Sequence, residues 1–153
     1  MPAYWLVKSE PDVFGWEQQV KNKVEPWTGV RNHMARQNLE AMKKGDLAFF
    51  YHSNIGKDIV GVVEVVREAY LDPSAEPAKT LADGSRAKAW MCVDMKAVGP
   101  MPRPVTLAEI KADPELSELA LVKFSRLSVA PVSPEHWAYI CKLGGYKKAK
   151  HPV

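Results

Sequence analysis

Cysteine is scarce: 153 residues contain only Cys92 and Cys141, far apart and each inside an apolar string. A disulfide-stapled scaffold is therefore excluded, and the expectation is two buried free thiols in a reducing, cytoplasmic compartment, or a nuclear one in a eukaryote. The four histidines (His33, His52, His136 and His151) show neither the two-on-one-helix-face spacing of a zinc protease nor neighbouring cysteine ligands. No metal and no cofactor are expected. No apolar run approaches the length of a membrane span, and "MPAYWLVKSEPD" reaches a charge at Lys8 without an apolar signal region, so a soluble protein with no membrane partner is expected. The chain also lacks internal repeats, low-complexity blocks, a Gly-x-Ser-x-Gly elbow, a phosphate-cradling glycine loop and a paired-carboxylate motif.

What is present is a globular composition, 46% hydrophobic and 25% charged, in a length that suits one domain and one monomeric fold. Lys and Arg outnumber Asp and Glu by 21 to 18. Such an excess permits a polyanionic partner without requiring one. The excess is uneven. Arg31, Arg36, Lys43 and Lys44 face only Glu40 in their stretch, and Lys142, Lys147, Lys148 and Lys150 face no acid, whereas residues 67 to 88 balance. Each basic patch is either a solvated face or an anion-binding one.

The apolar patterning places a strand over "YWLVKS" (4–9), a short helix over "VFGWEQQV" opened by Asp12, and a helix from about 32 to 43 with Ala35, Leu39 and Met42 on one face. "LAFFYHS" (47–53) and "DIVGVVEVVREAY" (58–70) flank a short Gly-containing turn and read as a hairpin. Residues 72–88 read as a long exposed connection, 89–98 as a strand and 126–132 as a last strand. Thr106 to Glu109 has capping-box spacing, Asp113-Pro114 suits a helix start, and "PEHWAYICKL" is punctuated by Ser133-Pro134 before it and Gly144-Gly145 after it. The middle strand is apolar on both faces, with Val60, Val62 and Val66 expected on one and Ile59, Val63 and Val65 on the other. An α+β fold with a small curled or closed sheet and helices tucked around it follows.

Four polar clusters remain that a core does not require: Lys8-Ser9-Glu10, Trp27 with Arg31-Asn32, His52-Ser53, and Arg126-Leu127-Ser128. Each falls at a strand end or a helix start, where side chains can converge on a common mouth. The segments that carry them, "WLVKSEP", "W-x-GVRN-x-x-AR-x-N", "M-x-x-GDL-x-FFYHS" and "RLSV", occur in this order in a chain that resembles the EVE domain of the PUA-like superfamily along essentially its whole length. The resemblance implies a PUA-like pseudo-barrel of mixed, mostly antiparallel short strands. It also implies a pocket, akin to that of the YTH domain, for a flipped-out and often modified nucleobase of DNA or RNA. Carried onto this chain, the pocket draws on Ser9, Trp27, Asn32, Ser53 and Arg126, with Lys8 and His52 beside them.

The residue chemistry agrees. An extruded base offers two flat faces and one hydrogen-bonding edge, so a receptor needs a ring and fixed donors and acceptors. Trp27 supplies a ring, and Asn32 presents a donor and an acceptor side by side. Arg31, Arg36, Lys43 and Lys44 are the candidates for holding phosphates. Each pick has a plainer reading. Trp27 can plug the core as Trp5, Trp16, Trp90 and Trp137 do, Asn32 can be only a helix N-cap, and Ser9 and Ser53 can satisfy strand ends. Arg31 and Arg36 can be exposed helix charges, and Arg126 can pair with Glu10 or Asp46. Two rival functions stand beside base reading. One is a small hydrolase using Ser53 and His52 with Glu10 or Asp94, although adjacent strand residues point to opposite faces. The other is a protein-interaction module using the Lys142–His151 tail and the 72–88 connection.

Overall fold

The structure, a computed structural model, describes residues 2–75, 82–84 and 89–147. Most of the 72–88 connection and the far end of the basic tail lie outside those residues. Six strands form one mixed sheet: β1 (Tyr4–Ser9), β2 (Val24–Pro26), β3 (Leu47–His52), β4 (Asp58–Leu71), β5 (Met91–Thr106) and β6 (Val129–Val132), in the order β2-β5-β4-β3-β1-β6. Among the described residues only β1 and β3 run parallel; every other pair is antiparallel. Among the described residues five α-helices pack around the sheet: α1 (Trp16–Asn22), α2 (His33–Ala41), α3 (Leu107–Ala112), α4 (Ala120–Lys123) and α5 (Pro134–Gly144). The α+β class and the apolar two-sided sheet are as the sequence implies. Among the described residues β2 and β6 remain edges, so no ladder closes the sheet on itself.

Two cores explain the doubly apolar strands. One face carries Leu6, Phe49, Ile59, Val62 and Val105 against Ile110 of α3 and Trp137 and Ile140 of α5, with Trp137 stacked on Phe49 at 3.9 Å and on Tyr4 at 4.5 Å. The other carries Trp5, Val7, Phe50, Val63, Val65 and Met95 against Ala35 and Leu39 of α2. The expected division of β4 by strict alternation fails, because Ile59 sits with Val62. In the ladder to β3, Phe50 pairs with Gly61 but Tyr51 pairs with Ile59, so Val60 is an extra residue on β4. Such a bulge turns the pleat over, which puts Ile59 on the face of Val62 and also bends the strand.

The helix punctuation holds where side chains supply it. Thr106 Oγ1 accepts from the Glu109 amide while Glu109 accepts from the Thr106 amide, Ser133 Oγ accepts from the His136 amide, and Gly145 ends α5 at φ 71°. Asp12 does not open α1; Gly15 does, three residues later. The strand expected at 89–98 runs on to Thr106 through Pro100, Pro102 and Pro104. Alternate positions face one edge of a strand, and β2 covers β5 only at Asp94–Lys96. The missing proline N–H groups therefore fall where no strand needs them.

Asp46 is buried at the start of β3 and accepts from Trp5 Nε1, the Ala3 amide and the Lys43 amide at 2.9–3.0 Å. It is committed to this joint and does not pair with Arg126. Glu10 accepts from Asn54, so it is not the partner either.

Candidate functional site

Two adjoining clefts open at the end of the sheet where β1 and β3 finish. The first, about 450 Å³, is lined by the β1 end (Lys8, Ser9), the following loop (Val13, Phe14), the segment from Glu25 to Asn32, and Ser128. Its volume lies in the range of small-ligand sites. Trp27 leaves β2 with its amide bonded to Val93 O at 2.7 Å, and its ring is wedged edge-on between Phe14 and Phe50. Trp27 is only 7% exposed; it belongs to the core and also walls the cleft. Its indole N–H makes no hydrogen bond among the described residues and is not a sealed atom. The ring thus keeps an unpaired polar handle on an apolar body.

The two halves of the Asn32 amide are used differently. Its Oδ1 accepts from the Ala35 amide at 2.9 Å, capping α2, while its Nδ2 has no partner among the described residues. The amide is therefore fixed by the cap and offers a donor at the rim.

The segment between Trp27 and Asn32 is held by a residue that sequence reasoning treated as part of an exposed connection. Asp72 is buried and accepts from the Gly29 amide at 2.8 Å, from Arg31 Nη1 at 3.0 Å, and from the Ser74 amide and hydroxyl. Burial alone raises the pKa of its carboxyl, but the hydrogen bonds from Ser74, Gly29 and Arg31 outweigh it and hold the group below its ordinary value. The local half of this arrangement was legible, since Asp-Pro-Ser is an Asx-turn sequence. The long-range half was not. Gly29 takes φ 85°, a left-handed conformation that lets its amide turn toward Asp72.

The second cleft, about 550 Å³, shares Lys8, Ser9, Val13 and Ser128 with the first and adds Ser53, Lys57, Lys111 and Arg126 over a floor that includes Tyr51 and Leu121. Lys8 donates to Ser125 O at 2.7 Å, and burial lowers its pKa. Ser9 Oγ donates to Phe14 O, so its hydroxyl shapes the β1–α1 loop. Ser53 offers its side chain to the cleft while its amide donates to Ser9 O. Arg126 is exposed, in the turn before β6 and not on the strand itself.

The expected pocket thus divides: Trp27 and Asn32 line the first cleft, Ser53 and Arg126 the second, and Lys8 and Ser9 both. His52 lines neither. Its Nε2 accepts from the Trp16 amide at 3.0 Å, and its pKa is lowered by burial, with Asp58 opposing in part; it is a neutral acceptor that positions α1. No hydrogen bond joins it to Ser53 among the described residues.

The phosphate candidates fare worse. Arg36 is 2% exposed and paired with Glu40, because it lies one turn before Leu39 on the packed side of α2. Lys43 and Lys44 follow the far end of α2, nine residues from its cap and hence about 14 Å along the helix. Arg31 does reach the first cleft, but with its charge matched by Asp72. Ser128, named in the Arg126-Leu127-Ser128 cluster but not assigned to the pocket, lines both clefts, and nothing in the sequence singled out Lys57.

The EVE domain family model matches residues 3–143. Thymocyte nuclear protein 1 of Danio rerio is 34% identical over 93% of this chain and 73% of its own length. A solved structure from Rhodopseudomonas palustris is 51% identical, with TM-score 0.82 over 99% of both chains. Human THYN1 protein, solved in complex with 5-methylcytosine containing DNA, is 32% identical, with TM-score 0.79 over 95% of this chain and 99% of that one. The Pho92 YTH domain, solved with m6A, shares the fold at 15% identity and TM-score 0.51. With most of its length matched by one family model, this chain belongs to the EVE domain family.

Proposed function

We propose that this protein binds nucleic acid and reads one extruded, modified base in the first cleft, without performing chemistry on it. The observation that carries the reading is the pairing of Trp27 with Asn32: a ring whose N–H is unspent and an amide whose donor is unspent, on one pinned segment lining one open cleft. A flat heterocycle with a hydrogen-bonding edge fits that equipment. The complex of the human relative with 5-methylcytosine DNA supports a modified base as the guest. A buried methyl contributes only about 0.8 kcal/mol, and tenfold requires about 1.4. A preference above tenfold therefore calls for a shaped cavity beyond the methyl contact.

The test is a titration of short DNA and RNA oligonucleotides carrying one central plain, methylated or hydroxymethylated base, against the native protein and Asn32→Ser. Serine still caps a helix, so stability should stay within about 0.5 kcal/mol. Loss of the amide donor should weaken the preferred oligonucleotide about threefold to tenfold, the worth of one net hydrogen bond. Equal binding of plain and modified oligonucleotides that Asn32→Ser leaves untouched would defeat the proposal.

A further inference from the structure

With Arg36 buried, Lys43 and Lys44 remote and Arg31 matched by Asp72, the first cleft has little free positive charge with which to hold a nucleic-acid backbone. The second cleft has it. Its lining carries Lys8, Lys57, Lys111 and Arg126 against one acid, Glu10, which already accepts from Asn54. Lys57, Lys111 and Arg126 are exposed, and none of the three forms an ion pair among the described residues. Unpaired cations on separate segments repel one another where they converge, so their gathering round one cleft has a cost that an anion would remove.

We propose that the second cleft seats a backbone phosphate adjacent to the extruded nucleotide, gripped by Arg126, Lys57 and Lys111. Which nucleotide it flanks rests on the base-reading proposal above; the phosphate seat itself does not. The cations come from three segments: the β3–β4 turn, α3, and the turn before β6. The first two are tied together, since the Leu107 amide donates to Lys57 O at 2.8 Å. Lys57 is held at φ 51°, a left-handed conformation that costs a non-glycine residue stability, at the point where its side chain lines the cleft. Lys8, Ser9, Val13 and Ser128 line both clefts and form the ridge between them. A strand whose base enters one cleft lays its neighbouring phosphodiester across that ridge into the other. Arginine supplies a bidentate fork for the phosphate oxygens and the lysines supply point charges.

The test uses single-stranded oligonucleotides of one length with a central abasic site, cytosine or 5-methylcytosine, titrated across salt concentrations. Compared are the native protein, Lys57→Gln/Lys111→Gln/Arg126→Gln, and a control of equal charge change, Lys21→Gln/Lys96→Gln/Lys142→Gln, at exposed lysines lining neither cleft. Each lost phosphate contact flattens the plot of log affinity against log salt by about 0.7 for single strands. The cleft variant should flatten it by one to three such steps and weaken all three oligonucleotides by a similar factor, about tenfold or more at low salt, with the control close to native. An unchanged slope on the abasic oligonucleotide, or equal flattening in the control, would overturn the proposal. If cytosine and 5-methylcytosine bind alike while the cleft variant still flattens the slope, base reading falls and the phosphate seat stands. The reverse pattern separates them the other way. Arg126→Glu alone, a reversal in an exposed turn, gives a second variant and should weaken the abasic oligonucleotide more than Arg126→Gln.

Discussion

Replacing Asp72 by alanine should lower unfolding free energy by about 2–4 kcal/mol and weaken the preferred oligonucleotide more than tenfold. The stability figure follows from what the carboxylate holds. Removal takes the acceptor from the Gly29 amide, at about 0.5–1.5 kcal/mol for one net hydrogen bond at an exposed residue. The Ser74 amide and hydroxyl lose theirs. Arg31 adds little, being 39% exposed, because ion pairs open to water contribute about 0–1 kcal/mol. The binding figure follows from position: Asp72 touches no guest but fixes the segment from Gly29 to Arg31, on which the spacing of Trp27 and Asn32 depends. Urea denaturation and the oligonucleotide titration measure the two effects separately. A destabilised variant that still binds normally where it is folded would show that the loop does not form the site.

The same residue gives a pH signature. The folded carboxyl titrates below its ordinary value, so its contribution is complete above the unfolded pKa, about 3.9, and is lost as pH falls through the lower folded value. The gap in stability between native protein and Asp72→Asn should be flat above about pH 5 and narrow on further acidification. A gap that widened in acid would reverse the assigned direction.

Trp27→Ala should be the more damaging change. A buried tryptophan truncated to alanine costs about 3–5 kcal/mol. That is a large part of the 5–15 kcal/mol typical of a domain, so a folded but non-binding variant is not the expected product. Trp27→Phe is the sharper probe. Phenylalanine keeps an aromatic ring between Phe14 and Phe50 but gives up the indole N–H and much of the wall of the first cleft. It should retain the fold at a cost of about 1–3 kcal/mol, within the range of imperfect core substitutions. Loss of one hydrogen bond together with part of the stacking surface should weaken the modified-base oligonucleotide by about tenfold to a hundredfold. The titration together with thermal unfolding decides it: native-like affinity in Trp27→Phe would make this ring core alone.

Local signals carried most of the fold. The strands at 4–9 and 47–52, the Asn32 cap, the Thr106 to Glu109 box and the Ser133-Pro134 to Gly145 helix were all legible because each rests on chemistry within a few residues. The strand Val24–Pro26 was not, being three residues with no period of its own and held by Asp94–Lys96. The faces of β4 were misread because bulges are set by the partner strand. The candidate site shows the same division. Sequence named Trp27 and Asn32, whose types announce them, but Arg36 looked like any helix charge until packing buried it. Asp72 became visible only through its bond to Gly29, 43 positions away.

The ridge between the clefts has a consequence for how the protein is made. Its members Lys8 and Ser128 come from opposite parts of the chain: the Lys8 amide bonds to Ser128 O, and its side chain to Ser125 O, 117 positions on. A pairing of such long range carries a high loop-closure cost and belongs among the slow contacts of folding. Neither cleft can be complete until β6 has left the ribosome and docked beside β1. Until then the growing chain carries Lys8 and Lys57 without Arg126 or Ser128 beside them, so the two clefts form together and late.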